Sequence, residues 1–267
     1  MPAEGEMRAP LSDRNIGDLP AITAEILERI RARRPRVHCI TNAVAQTFTA
    51  NMLLAAGAVP SMTIAQKEVR AFAARADAVL INLGTFDVER QKASLAAVAV
   101  ANKAGIPWVL DPVFIERSPP RAAFAKKLLA QKPRALRLNA AEFGAFSGGK
   151  TDDAALQRFA KGRRVVVGLT GVQDFVRDGE RLVTIANGHP LMARVTAMGC
   201  VASALVGACL AVEPDAWKAT AAALIVIGVA GEIAAERARG PGSFVSEILD
   251  AVYALDRAAL MAKAKVS

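Results

Sequence analysis

From residue 37 onward, short apolar runs alternate with segments of helical period, and this alternation organises the chain. Val37-His38-Cys39-Ile40 reads as a strand, and residues 46–56 read as a helix whose C-terminal end suits Gly57. Residues 58–62 form a second strand, followed by a helix near residues 67–75. Ala78-Val79-Leu80-Ile81-Asn82-Leu83 is a third strand closed by Gly84, and residues 88–103 form an Ala-rich helix stopped by Gly105 and Pro107. Trp108-Val109-Leu110 is a fourth strand that ends at Asp111-Pro112. Ala135-Leu136-Arg137-Leu138 is a fifth, and Val165-Val166-Val167-Gly168-Leu169 a sixth. Residues 175–185 read as a hairpin with Asp178-Gly179 as its turn. After Gly199 the pattern is helical to the end, broken near Pro214 and at Gly240-Pro241-Gly242. Ahead of these elements, a helix over residues 21–34 carries Ile22, Ile26 and Ile30 on one face and stops at Pro35. Residues 1–19 are polar, rich in Pro and Gly, and read as a mobile tail.

Strand–helix alternation implies right-handed βαβ units. The expected fold class is therefore α/β, one domain over residues 20–267, with a mostly parallel central sheet flanked by helices. In such sheets ligands bind beyond the carboxyl ends of the strands. Polar residues collect there: Thr41-Asn42, Asn82, Asp111, Asn139, Glu142 and Thr170.

Composition narrows the function classes. Of 267 residues, 53% are hydrophobic and only 5% aromatic, so the core is filled by small aliphatic side chains that let helices lie close to the sheet. A net charge of +9 raises the question of nucleic acid. The densest basic cluster, Arg29, Arg31, Arg33, Arg34 and Arg36, lies mostly on the helix face opposite the isoleucines and reads as a solvated surface. With one Tyr and no aromatics interleaved among the basic residues, the chain is not expected to bind nucleic acid. Its charge suits small anions such as nucleotides equally well. Three cysteines without a CxxC pair oppose both a disulfide framework and a zinc site. The first residues lack a signal-peptide layout, and the apolar runs at 198–212 and 219–231 are too short to span a bilayer. The expectation is a cytoplasmic protein without a membrane partner.

Cys200 follows Gly199 where a long helix begins. Unpaired N–H groups and the helix dipole favour an anion at such a point, and a thiol there ionises more easily. Taken alone, the local sequence favours the other reading, a small buried apolar residue. Cys39 and Cys209, within apolar stretches, read as structural. Asp111 and Glu142 at neighbouring strand ends suit a magnesium ion with nucleotide phosphates. They also read as a turn former and as a first-turn helix acid capped by Asn139. Arg137 is a charge inside an apolar run, suited to clamping a phosphate, and Thr170-Gly171 offers a hydroxyl and a tight turn. Walker A and GxGxxG patterns are absent, which disfavours P-loop and dinucleotide-binding proteins.

These pieces together resemble hydroxyethylthiazole kinase, a family of the ribokinase-like fold. The resemblance rests on Val37-His38-Cys39-Ile40-Thr41-Asn42, Gln46-Thr47-Phe48-Thr49-Ala50-Asn51, Leu110-Asp111-Pro112-Val113, Asn139-Ala140-Ala141-Glu142, Met198-Gly199-Cys200 and Gly240-Pro241-Gly242-Ser243-Phe244. It implies transfer of the ATP γ-phosphoryl group to the hydroxyl of 4-methyl-5-(2-hydroxyethyl)thiazole, with Mg2+. By the same resemblance Cys200 stands beside the substrate hydroxyl, where related kinases carry an aspartate base. Met62, Gly199 and Asn42 would meet the substrate, Arg137, Thr170 and Asn139 the ATP, and Asp111 and Glu142 the metal. A homotrimer with active sites at subunit boundaries is implied. The chain departs from the family in two places. The usual Gly-Thr-Gly-Cys reads Ala197-Met198-Gly199-Cys200, and the stretch between Glu142 and Val165, expected over the nucleotide, is short. Rival readings are a kinase for another vitamin-like alcohol, a non-catalytic thiazole or nucleotide binder, and a hydrolase or acyltransferase with Cys200 as covalent nucleophile.

Overall fold

A computed structural model describes residues 14–267 of the chain. The described residues open with a helical turn, α1 (Arg14–Gly17), and a helix, α2 (Leu19–Arg33). The helical part thus starts before residue 20, and the rest of the expected tail lies outside the described residues. Strand β1 (Arg36–Ile40), α3 (Gln46–Ala56), β2 (Val59–Ser61), α4 (Val69–Arg75), β3 (Ala78–Asn82), α5 (Val88–Ala104) and β4 (Trp108–Asp111) follow. Next come α6 (Pro119–Leu129), β5 (Ala135–Asn139), α7 (Ala140–Ser147), α8 (Asp153–Arg163) and β6 (Val166–Thr170). The hairpin β7 (Asp174–Arg177) and β8 (Leu182–Ile185) precedes four helices: α9 (Met198–Leu210), α10 (Ala216–Arg237), α11 (Pro241–Ala254) and α12 (Arg257–Lys263).

The eight strands form one sheet in the order β2-β1-β3-β4-β5-β6-β7-β8. Pairings from β2 to β6 are parallel, and the two hairpin strands run antiparallel. The α/β class and the mostly parallel sheet are as the sequence pattern implies. Along β3, Leu80 faces one core and Val79 and Ile81 the other, which is why that strand is apolar throughout. One face of the sheet is covered by α4 to α8. On the other face α9 and α10 lie between the sheet and an outer layer of α2, α3, α11 and α12. Helices enclosed on all sides are apolar all round. The α10 helix has 22 residues, longer than the apolar run suggested, and is long and apolar enough to cross a membrane by length and composition. Its apolar window is 78% buried inside the fold.

Arg33, Arg34 and Arg36 are exposed, as expected of the arginine cluster, but Arg29 and Arg31 are half-buried and make long-range contacts. Arg29 donates to Val212 O and pairs with Glu213, which ties α2 to the α9–α10 turn. Arg31 donates to the carbonyls of Val252 and Tyr253 in the last turn of α11. Arg36 pairs with Asp77 just before β3. Carbonyls at helix ends lack intrahelical partners, and the Arg29 and Arg31 guanidinium groups supply donors there.

Close backbone approach depends on glycine in α10. A Cβ on Gly228 would lie 2.8 Å from Asn187 Cβ and 3.0 Å from Asn187 O, and one on Gly231 would lie 2.6 Å from Met192 Sδ. The segment after β8 therefore rests directly on the helix. Gly228→Ala is expected to lower unfolding free energy by about 1–3 kcal/mol through overpacking. Gly162 in α8, with open space where a Cβ would go, is the opposite case. Gly162→Ala should add roughly 0.5–1 kcal/mol by restricting the unfolded chain. Urea unfolding of the two variants checks both signs.

Candidate active site

The carboxyl ends of β3 to β6 and the start of α9 converge on Asp111, the last residue of β4. Its side chain is 1% exposed, and its Oδ2 accepts from Asn82 Nδ2 at 2.8 Å and from Ser203 Oγ at 2.7 Å. Arg137 Nη1 from β5 stands 4.0 Å from the same oxygen. Asn82 also donates to Cys200 Sγ at 3.2 Å, so one amide links the carboxylate to the thiol. Register explains the convergence: Asn82 pairs with Asp111 across β3 and β4, and Asn139 with Thr170 across β5 and β6. The other carboxylate oxygen, Asp111 Oδ1, is buried without a hydrogen-bond partner.

Arg137 lies against the first turn of α9. Its guanidinium donates to Thr170 Oγ1, and a Cβ on Gly199 would collide with Nη1. Any side chain at 199 would therefore force the guanidinium out of this position. Ser203, four residues after Gly199 and three after Cys200, sits on the same helix side; its Oγ also lies 3.1 Å from Gly199 O, but its single proton serves the closer Asp111 carboxylate. Sequence reasoning missed Ser203; its helical spacing from Gly199-Cys200 was the available signal.

Glu142 and Asn139 form a capping box at the start of α7: Glu142 N donates to Asn139 Oδ1, and Asn139 N to Glu142 Oε2, each at 2.9 Å. Glu142 Oε1 accepts from Phe114 N at 2.9 Å, so both its oxygens also hold backbone. Val113 and Phe114 adopt positive φ values of 28° and 58°, a strained turn that follows Asp111-Pro112. Burial raises the pKa of Asp111 above the usual carboxylate range against the opposing pull of Arg137. Burial, then the neighbouring Asp111, raises that of Glu142.

Cys200 is 7% exposed, and burial followed by the Asp111 charge pushes its thiol up to about 12. The expectation that a helix start makes this thiol ionise easily is overturned: desolvation and a nearby carboxylate outweigh the helix dipole. Cys39 and Cys209 are buried thiols pushed to about 12 by burial, as structural cysteines should be. Both histidines are engaged elsewhere, His38 with Ser61 Oγ at 2.9 Å and His189 Nδ1 with Leu191 N at 3.2 Å. A Cys–His nucleophile has no support in this geometry.

A cavity of about 650 Å³ opens beside this cluster, with Arg137, Asn139, Thr170, Asp174, Gly199 and Leu224 in its lining. Asp174 accepts from Gly171 N at 3.0 Å, and burial raises its carboxyl to about 6. The 143–164 segment contributes nothing to this lining; α7 and α8 pack on the opposite face of the sheet. Asn42 and Met62 stand apart from the cavity. Asn42 packs against Gly84 and accepts from Thr85 Oγ1 at 2.9 Å, and Met62 follows edge strand β2 and packs on the core.

The sequence model of the hydroxyethylthiazole kinase family matches residues 27–258. The chain belongs to the hydroxyethylthiazole kinase family. It is 45% identical to the probable hydroxyethylthiazole kinase of Agrobacterium fabrum, over 88% of this chain and 92% of the relative. It is 47% identical to the hydroxyethylthiazole kinase of Klebsiella pneumoniae, over 88% and 96%. The hydroxyethylthiazole kinase structure from Pyrococcus horikoshii superposes with a TM-score of 0.87 at 37% identity, covering 92% of this chain and 98% of that one. A Staphylococcus aureus pyridoxal kinase in complex with pyridoxal, at 16% identity and a TM-score of 0.57, shares the fold.

Within this family the Ala197 departure has a structural cost. Ala197 caps α9 at φ 70°, in the left-handed region that a glycine adopts freely. Ala197→Gly relieves that strain while adding unfolded-state entropy, for an expected net gain of about 0.5–1 kcal/mol. Thermal unfolding of the variant checks the sign.

Proposed function

We propose that the protein transfers the γ-phosphoryl group of ATP, with Mg2+, to the hydroxyl of 4-methyl-5-(2-hydroxyethyl)thiazole, as in thiamine salvage. The observation that carries this reading is the chain of contacts from Asp111 through Asn82 to Cys200, at the head of α9, in a member of this family. Phosphoryl transfer asks a protein mainly for positioning and charge neutralisation. Arg137, held by Thr170 against Gly199, supplies a cation next to the N–H groups that open α9. Asn139 lines the same cavity.

The residues present fit a magnesium ion. The buried Asp111 Oδ1 lacks a protein partner, and Glu142, whose oxygens hold two backbone N–H groups, suits a role through water. When bound there, the ion supplies positive charge to the transferring phosphoryl group. Asn42 and Met62 are the proposed contacts of the thiazole.

Cys200 is the proposed proton acceptor. Its thiol is protonated near neutral pH, so the base is the minor thiolate, required only late in transfer when the hydroxyl oxygen has become acidic. The thiolate fraction grows as pH rises toward the raised pKa of about 12. Turnover is therefore expected to increase with pH through the neutral and mildly alkaline range. Cys200→Ala should lower kcat by roughly 10²-fold, the lower end of general-base effects, and flatten that increase. ADP release from ATP and hydroxyethylthiazole, measured with and without Mg2+ across pH, tests the reading. No thiazole-dependent ADP would sink it, and unchanged turnover in Cys200→Ala would remove the base role.

We also propose a homotrimer in a cytoplasmic setting. An apolar groove of about 290 Å³ runs along β2, lined by Val59, Pro60, Ala71 and Phe72, and Val44 and Leu54 are exposed. Residue Met62 follows this edge, so a neighbouring subunit here would close the thiazole side. Light scattering should give three times the mass of the chain; a monomer would contradict it.

A further inference from the structure

The net charge of +9 does not collect in the active-site cavity, whose lining holds one arginine, Arg137, one carboxylate, Asp174, and no lysine. A denser set of cations lies at the opposite end of the sheet, where the chain enters β4, β5 and β6. Two clefts open there and share Arg134 and Pro214. One, of about 510 Å³, has Arg33, Lys132 and Arg134 in its lining. The other, of about 560 Å³, has Arg134, Lys161 and Arg164. Small-ligand sites span roughly 300–1,000 Å³.

Most carboxylates of these clefts are already paired. Glu213 is held by Arg29 at 2.6 Å, and Asp178 and Asp215 are both held by Arg181, at 2.8 and 2.7 Å. Glu180 is the lining carboxylate without an ion pair among the described residues. None of Arg33, Lys132, Arg134, Lys161 and Arg164 forms an ion pair there either, so positive charge is in excess. Taken singly, each is a cation on a solvated surface. Together they reach the same pair of concave clefts from three segments: the end of α2, the loop before β5 and the end of α8. Clefts lined by one sign of charge concentrate counter-ions.

Arg134 stands where the clefts meet. Its Nη2 donates to Pro214 O at 2.9 Å, which ties the guanidinium to the α9–α10 turn and leaves its remaining donors for a phosphate. The aromatic side chains in the lining, Trp108 and Trp217, are each 1% exposed and offer no face for stacking a base. A ligand here is recognised by its charge. We propose that these clefts form a second anion site, a strand length of roughly 15 Å from the active site, that takes an oligophosphate and needs no nucleobase.

The test uses the full chain, with inorganic tripolyphosphate as the probe, no Mg2+ and salt at about 0.15 M. Amide chemical shifts locate the probe, because Gly105 and Gly179 line the clefts whereas Gly171 and Gly199 line the active-site cavity. Calorimetry compares the wild type with the Lys132→Glu/Lys161→Glu variant, which changes two exposed side chains and should keep the wild-type melting temperature. The expected result is that tripolyphosphate shifts Gly105 and Gly179, and that Kd at this site rises at least tenfold in the variant. Shifts confined to Gly171 and Gly199, or the same Kd in both proteins, would overturn the proposal. Binding seen only at low salt would mean an adventitious ion only, and would overturn it too. A single-stranded oligonucleotide that displaces tripolyphosphate at equal phosphate concentration would assign the clefts to nucleic acid and contradict the small-ligand reading.

Discussion

One carboxylate oxygen holds the site together. Asp111 Oδ2 takes hydrogen bonds from β3 through Asn82 and from α9 through Ser203, with Arg137 of β5 4.0 Å away. A buried carboxylate is costly unless hydrogen-bonded and near a cation, and these three groups from three elements meet that need. The same contacts fix how the first turn of α9 sits over the strand ends. Removing the carboxylate would leave a buried amide and a hydroxyl without their common acceptor and the nearby guanidinium without this counter-charge, so the site's geometry and its electrostatics share one origin.

The surrounding architecture lets the helix come close enough for this. Helices α9 and α10 are enclosed between the sheet and an outer helical layer, which requires small apolar side chains on every face. Glycine at 199 admits the Arg137 guanidinium, and glycine at 228 admits the segment after β8 that lines the cavity. Enclosure also sets the state of Cys200. In water a helix start would favour its thiolate; here burial and Asp111 favour the thiol. The proton acceptor proposed for the reaction is therefore a strong base that is sparsely populated.

Much of this was legible in the chain. Short apolar runs closed by Gly84 or Asp111-Pro112, and helices closed by Gly57 and Gly105, follow from local sterics and patterning, and the structure has elements there. Helices α6 and α8 were not read, although Ser118 before Pro119-Pro120 and Asp152 are N-cap signals that the structure uses. Strand-end positions pointed to Asp111, Asn139, Glu142 and Thr170 because a parallel sheet gathers those ends on one side. Two features were barely legible: Ser203 left only its helical spacing from Gly199-Cys200, and Arg29 and Arg31 left no local signal. Ser203 acts through a contact 92 residues away in sequence, and the roles of Arg29 and Arg31 depend on carbonyls at the ends of α9 and α11 that only the packed helices bring near. The thiol's burial likewise belongs to the tertiary packing and not to its local motif.

The most direct measurement is a crystal structure with Mg2+, a non-hydrolysable ATP analogue and hydroxyethylthiazole. The account predicts the substrate hydroxyl within hydrogen-bonding reach of Cys200 Sγ, the γ-phosphoryl group against Arg137 and the N–H groups of Gly199-Cys200, and Asp111 Oδ1 turned to the ion. A substrate hydroxyl bound away from Cys200, with the phosphates outside the reach of Arg137, would contradict it.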